Sequence, residues 1–325
     1  MTDRFGRTID YLRISITDRC NLRCVYCMPE DGVARLKHEQ ILTYEEILRV
    51  CRIMAGLGVK HLRVSGGEPL VRRGAAGLIA QAKRLDGIER VSLTTNGVLL
   101  EQELPALLEA GIDGINVSLD TLSPEKYSCV TRKDELYRAL RGIDAAYSTG
   151  VRPLKINSVL MRGVNDDEIL PLASLARDRD LSVRFIELMP IGLGKEYSPV
   201  SGREVLARLT EEFGTPLRSE EMLGSGPAGY YSFPGFFGKI GLIGALSHAF
   251  CASCNRVRLT SDGLLKPCLY YDTGCDLRAP LRSGCGDEAL SRLIRETVTE
   301  KPAGHRFGDS AAEHTEQKTM NEIGG

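Results

Sequence analysis

The chain has 325 residues, with 42 Lys and Arg against 43 Asp and Glu, and a formal net charge of -1 with both signs interspersed. That balance excludes a bulk polyanion-binding surface, so no nucleic-acid partner is expected and any phosphate recognition must come from local clusters. The start, Met1-Thr2-Asp3-Arg4-Phe5-Gly6-Arg7, has no apolar signal region, and no run nears the roughly 18 apolar residues of a membrane helix; a cytoplasmic protein without a membrane partner is the expectation.

Strand-like runs at about 11–16, 60–65, 90–95, 114–119, 153–160 and 182–187 alternate with helical periodicity at 43–57, 75–86, 101–110, 135–149 and 166–180. Thr43 with Glu46 reads as a capping box opening the first helix. The alternation predicts βα units around a parallel sheet. Six such steps fall short of the eight of a closed barrel, so the expected α/β fold is a partial, open TIM-like barrel with a C-terminal extension.

Along each strand one face is apolar and the other polar. Leu12, Ile14 and Ile16 alternate with Arg13 and Ser15; Leu62 and Val64 with His61, Arg63 and Ser65. Val91 and Leu93 alternate with Ser92, Thr94 and Asn96; Ile115, Val117 and Leu119 with Asn116, Ser118 and Asp120. The apolar faces must meet the helices, which turns the polar faces into a lumen suited to a charged ligand. A sheet with one solvated face is the competing reading, and repeated helical crossovers disfavour it.

The motifs fall at strand ends, where such folds collect their ligand-binding groups. After the first strand comes Cys20-Asn-Leu-Arg-Cys24-Val-Tyr-Cys27. Three thiolates are one fewer than a [4Fe-4S] cluster normally takes, which leaves one iron open to a small molecule. A structural zinc site fits poorly, since His38 has no ligand-like spacing to the triplet. Ser65-Gly66-Gly67-Glu68-Pro69 ends the second strand, its glycines allowing close backbone approach. A second set, Cys251, Cys254 and Cys268, precedes and follows Arg256-Val257-Arg258. Taken alone it reads as a zinc ribbon with His248 or Cys275 as fourth ligand, but paired guanidiniums suit phosphate oxygens. Cys51, Cys129 and Cys285 read as ordinary thiols.

CxxxCxxC with Tyr26 before its last cysteine resembles the radical S-adenosylmethionine enzymes. The resemblance implies a [4Fe-4S] cluster on Cys20, Cys24 and Cys27 whose open iron is chelated by S-adenosylmethionine. It also implies contacts from Tyr26, Gly67, Ser118 and Met189 to that cofactor, with the Gly-Gly-Glu run at its amino group. Two three-cysteine sites, Arg-x-Arg after the second pair, and terminal Gly324-Gly325 narrow the resemblance, over essentially the whole chain, to the GTP 3′,8-cyclase family of molybdenum cofactor biosynthesis. That family implies a second [4Fe-4S] cluster on Cys251, Cys254 and Cys268, its open iron meeting the guanine of GTP. It implies GTP contacts from Arg13, Arg63, Thr94, Lys155, Arg184, Arg256 and Arg258, and an activating tail at Gly324 and Gly325. The implied reaction converts GTP to 3′,8-cyclo-7,8-dihydro-GTP with no side chain assigned as an acid or base. The implied partners are an electron donor and a downstream cyclic pyranopterin monophosphate synthase, with a homodimer left open.

The expected domains are a barrel at 1–200, a cluster-binding extension over its mouth at 201–302 and a flexible tail at 303–325. Two other readings stand beside this one: a radical enzyme acting on a peptide, and a zinc-binding interaction protein.

Overall fold

A computed structural model describes the chain except residues 35, 220–225, 248–249, 310–311 and 325. Six strands run through the N-terminal part: β1 (Tyr11–Ser15), β2 (His61–Ser65), β3 (Arg90–Thr95), β4 (Ile115–Ser118), β5 (Leu154–Leu160) and β6 (Ser182–Glu187). Helices α1 (Tyr44–Gly56), α2 (Ala75–Lys83), α3 (Leu100–Glu109), α4 (Pro124–Thr131), α5 (Leu136–Ser148) and α6 (Ile169–Ser174) connect them. The remainder carries α7 (Gly202–Phe213), β7 (Leu217–Ser219), β8 (Gly229–Ser232), β9 (Lys239–Ile243), β10 (Arg256–Leu259), β11 (Leu264–Lys266), β12 (Cys275–Asp276), α8 (Arg278–Arg282) and α9 (Asp287–Thr299).

The strands form one open sheet in the order β12-β11-β10-β1-β2-β3-β4-β5-β6-β9-β8-β7. From β10 through β1 to β6 and on to β9 every pairing is parallel. The expected six-step barrel is therefore widened. The C-terminal part does not only lie over the mouth: β10 extends the sheet beyond β1 and β9 extends it beyond β6.

Local chemistry explains the elements. Thr43 and Glu46 form the capping box read from sequence, with Glu46 N donating to Thr43 Oγ1 at 3.2 Å and Thr43 N to Glu46 Oε2 at 2.7 Å. Helix α4 was absent from the sequence reading although its start is conventional: Ser123 caps it and Pro124 occupies the first turn. The helix expected over 166–180 shrinks to a 3-10 turn and α6, because Arg177-Asp178-Arg179-Asp180 offers no apolar residue to hold a longer face against the sheet.

Leu12, Ile14, Leu62, Val64, Val91, Leu93, Ile115 and Val117 are all buried in one core with the helices. Their strand neighbours line the opposite face, and the parallel register aligns those neighbours across strands. Arg258 pairs with Arg13 and Arg13 with Arg63; Thr94 pairs with Asn116 and Asn116 with Lys155; Ser118 pairs with Asn157 and Asn157 with Arg184.

The segment expected as a flexible tail is packed instead. Tyr271 bridges Thr315, and Glu316 N donates to Tyr270 O at 2.8 Å. Glu316 pairs with Lys266 in a fully buried contact, and Ile323 is buried. The polar composition that suggests mobility is spent on specific partners: a buried ammonium requires the carboxylate opposite it.

Candidate functional site

A cavity of about 330 Å³ opens on the polar face of the sheet. The two cysteine triplets, some 220 residues apart in sequence, both line it. At one side lie Cys20, Cys24 and Cys27, carried by the loop after β1. Burial pushes the Cys20 thiol up to about 11 and the Cys27 thiol up to about 12, and it raises Cys24 well above its usual value, helped by Cys27 beside it. Such thiols stay protonated unless a metal centre displaces the proton. All the cysteines are free. Among the described residues no three His, Cys, Asp or Glu side chains close around a single-ion position.

The loop after β2 completes this side. Glu68 is buried, and burial raises its pKa to about 7. Its carboxylate accepts from Leu70 N at 3.0 Å, Asn96 N at 2.7 Å and Thr95 Oγ1 at 2.8 Å. Glu68 thus pins the glycine loop. Gly67 lies so close to the Arg19 carbonyl and Asn321 Oδ1 that any Cβ would collide with them. Tyr26 Oη donates to Asp120 Oδ2 at 2.7 Å, while Asp120 Oδ1 accepts from Val159 N at 2.8 Å. Burial raises Asp120 to about 6 and lifts Tyr26 well above its usual value, the neighbouring Asp120 adding to it. Gly67, Ser118 and Met189 line the cavity with Tyr26.

At the other side Cys251, Cys254 and Cys268 face the same space. Lys301 is buried, 2% exposed, and its Nζ donates to Arg256 O at 2.9 Å and Pro267 O at 2.5 Å. It also hydrogen-bonds Cys254; burial opposes a thiolate there, yet the charges of Lys301 and Arg256 bring the Cys254 pKa below its usual value. Arg7 secures this corner by donating to Cys251 O at 2.8 Å, Ala303 O at 3.0 Å and Pro302 O at 2.7 Å. Cys275 is not among the cavity-lining residues, so its place on β12 does not bring it to this set. His248, the other proposed fourth ligand, lies outside the described residues.

Between the triplets runs a cationic belt. Arg13, Arg63, Arg184, Arg256 and Arg258 line the cavity with Thr94. Burial, followed by the charge of Arg258, holds Arg13 well below its usual value, and burial with Arg256 brings Arg258 down to about 10. Lys155 lines a smaller pocket of about 30 Å³ that shares Tyr11, Arg63 and Asn116 with the main one. Burial, then Arg184, Arg63 and Arg90, lowers Lys155 to about 6. Buried like charges on adjacent strands repel and lose hydration, so the belt is arranged for a polyanion.

Sequence reasoning missed Tyr11, Asp120 and Asn157 as site residues, although each shares the polar face of its strand end with an expected residue. Tyr11 accepts from Arg63 Nε at 2.5 Å, and Arg256 lies over its ring at 5.3 Å. Arg184 Nε donates to Asn157 Oδ1 at 2.8 Å. Lys301, His305 and Asn321 also reach the cavity, and no motif announced them. Gly324, with φ of 87°, adopts a left-handed conformation and its carbonyl accepts from Ser65 Oγ at 3.1 Å. Gly325 lies outside the described residues.

Residues 14–176 match the family described as the Radical SAM superfamily, and residues 181–307 match the family described as Molybdenum Cofactor Synthesis C. A crystal structure of Streptococcus suis SuiB shares the fold at TM-score 0.59 and 18% identity, over 89% of this chain and 68% of that one. Curated relatives named GTP 3′,8-cyclase include those of Pelotomaculum thermopropionicum, 45% identical over 328 residues, and Heliobacterium modesticaldum, 44% identical over 329 residues. Each alignment covers 100% of both chains. With two open cysteine triplets facing a belt of buried cations, and full-length relatives at this identity, the chain belongs to the GTP 3′,8-cyclase family of radical S-adenosylmethionine enzymes.

Proposed function

We propose that this chain converts GTP to 3′,8-cyclo-7,8-dihydro-GTP in the first step of molybdenum cofactor biosynthesis. The observation that carries the reading is the shared cavity: both cysteine triplets line it, together with Arg13, Arg63, Arg184, Arg256 and Arg258. When bound, the first cluster and S-adenosylmethionine supply a 5′-deoxyadenosyl radical, which takes hydrogen from C3′ of GTP so that the sugar carbon bonds to C8 of guanine.

The protein's part is to bind, orient and shield. Cys20, Cys24 and Cys27 hold one cluster and leave an iron for the cofactor; Tyr26, Gly67, Ser118 and Met189 contact that cofactor. Cys251, Cys254 and Cys268 hold the second cluster, which receives the guanine end. Arg13, Arg63, Arg184, Arg256 and Arg258, with Thr94, grip the triphosphate, and Lys155 meets it at the floor of the lumen. Guanidinium forks match phosphate oxygens two at a time, and burial keeps those contacts from being screened. Asn157 and Tyr11 aim Arg184 and Arg63 through the hydrogen bonds given above. Gly324 and Gly325 help complete the site from the tail.

An external electron donor is required, and the product passes to a cyclic pyranopterin monophosphate synthase. Anaerobic incubation of the two-cluster protein with S-adenosylmethionine, GTP and a strong reductant tests the reading. Formation of 3′,8-cyclo-7,8-dihydro-GTP is expected by mass spectrometry. 5′-Deoxyadenosine formed without any change in GTP overturns the substrate assignment.

A further inference from the structure

Asn321, in the C-terminal tail, is 1% exposed and lines the cavity with Cys27 and Gly67. Its polar atoms are used unequally. Nδ2 donates to Asp18 O at 2.7 Å, and its backbone N–H donates to the Cys27 sulfur. Oδ1 is buried and has no partner. The amide cannot be turned around, because the atom facing the Asp18 carbonyl has to be the donor. The unpartnered atom is therefore an acceptor, and it rests against the glycine loop: a Cβ on Gly67 would lie 2.5 Å from it.

A buried acceptor without a donor is destabilising until a partner arrives. Of the buried unpartnered atoms among the described residues, Asn321 Oδ1 is the acceptor that also lines the cavity on the side of the first triplet. Glu68, the nearby carboxylate, already accepts from three protein donors. On the radical-enzyme reading, an open iron at Cys20, Cys24 and Cys27 would take the amino-acid end of S-adenosylmethionine, through its amino group and its carboxylate.

We propose that Asn321 is a cofactor-binding residue whose Oδ1 accepts a hydrogen bond from the α-amino group of S-adenosylmethionine. The proposal rests on the radical-enzyme reading given above. It makes the tail part of the cofactor site, held there by the buried Lys266–Glu316 pair and by Ile323.

Equilibrium dialysis of the two-cluster protein without reductant, so that no turnover occurs, measures binding directly. Two ligands are compared: S-adenosylmethionine and its des-amino analogue, with hydrogen in place of the α-amino group. Leaving a buried donor without its acceptor costs enough that Asn321→Ala is expected to weaken S-adenosylmethionine roughly tenfold or more while changing the analogue little. Equal weakening of both ligands overturns the proposal, because Asn321 would then only anchor the tail. Tighter binding of S-adenosylmethionine also overturns it, marking Asn321 as a plug. A truncated chain ending at Ile323 keeps Asn321 and is expected to keep the preference for the amino ligand; loss of that preference counts against the proposal even if Asn321→Ala proves unstable. Failure of the wild-type protein to bind either ligand would instead refute the underlying radical-enzyme reading.

Discussion

The proposed contact of Lys155 with the triphosphate predicts that GTP binding takes up a proton. Burial and the charges of Arg184, Arg63 and Arg90 lower its pKa to about 6, so that at pH 7.5 roughly 3% of it is protonated. A triphosphate brings several negative charges beside it and drives the pKa back toward the ordinary lysine range. Binding at pH 7.5 should therefore take up close to one proton per GTP, beyond whatever the γ-phosphate itself contributes. Because the complex holds more protons than the separate partners, affinity falls as pH rises above about 6, by at most roughly tenfold per pH unit. Calorimetric titration in two buffers of different ionisation enthalpy counts the protons. Lys155→Met should bind GTP more weakly and lose about one proton of uptake. The same uptake in wild type and variant would refute the reasoning. The linkage has a second sign to check: the folded pKa lies below the unfolded value of 10.5. Between pH 6 and 10.5 the unfolded chain binds more protons at this position, so stability without GTP rises with pH across that window, and Lys155→Met should flatten the rise.

Arg258→Ala is expected to raise the Kd for GTP by tenfold or more while sparing cleavage of S-adenosylmethionine in the absence of GTP; equal loss of both counts against its assigned role. Cys20→Ser should abolish 5′-deoxyadenosine formation, and retained formation would contradict the first cluster's ligand set. Lys301→Met removes a buried cation from Cys254 and should shift the second cluster's reduction potential to a more negative value, read by potentiometric titration with the iron content unchanged; an unmoved potential would contradict that electrostatic contact. Leu93, fully buried in the core, should cost about 2–5 kcal/mol on change to Ala, measured by denaturant unfolding under reducing, anaerobic conditions.

The barrel was legible because its signal is local. Strand alternation that puts Arg13 opposite Leu12 and Thr94 opposite Leu93 is a property of consecutive residues, and it specified both the core and the lumen before any coordinates. The cysteine triplets were legible for the same reason, each being a short spacing on one loop or hairpin. Helix α4 was missed although Ser123-Pro124-Glu125 announced it, because its eight residues carry little periodicity. The pairings of β10 with β1 and β9 with β6 were not legible, since parallel neighbours far apart in sequence leave no local mark. Lys301, Asn321 and Arg7 stayed hidden for a related reason. Each is an ordinary polar residue whose role comes from a partner distant in sequence, 45 residues away for Lys301 and Arg256, 303 for Asn321 and Asp18, and 244 for Arg7 and Cys251. Polar composition also misled at the tail, where Glu316 reads as solvated and is instead the counter-charge of Lys266.

The most direct test of the central claim uses GTP deuterated at C3′ with the two-cluster protein, S-adenosylmethionine and a strong reductant under anaerobic conditions, following the label by mass spectrometry. The account predicts deuterium in 5′-deoxyadenosine, in step with loss of GTP. Abundant unlabelled 5′-deoxyadenosine from protein that carries both clusters and binds GTP would contradict it.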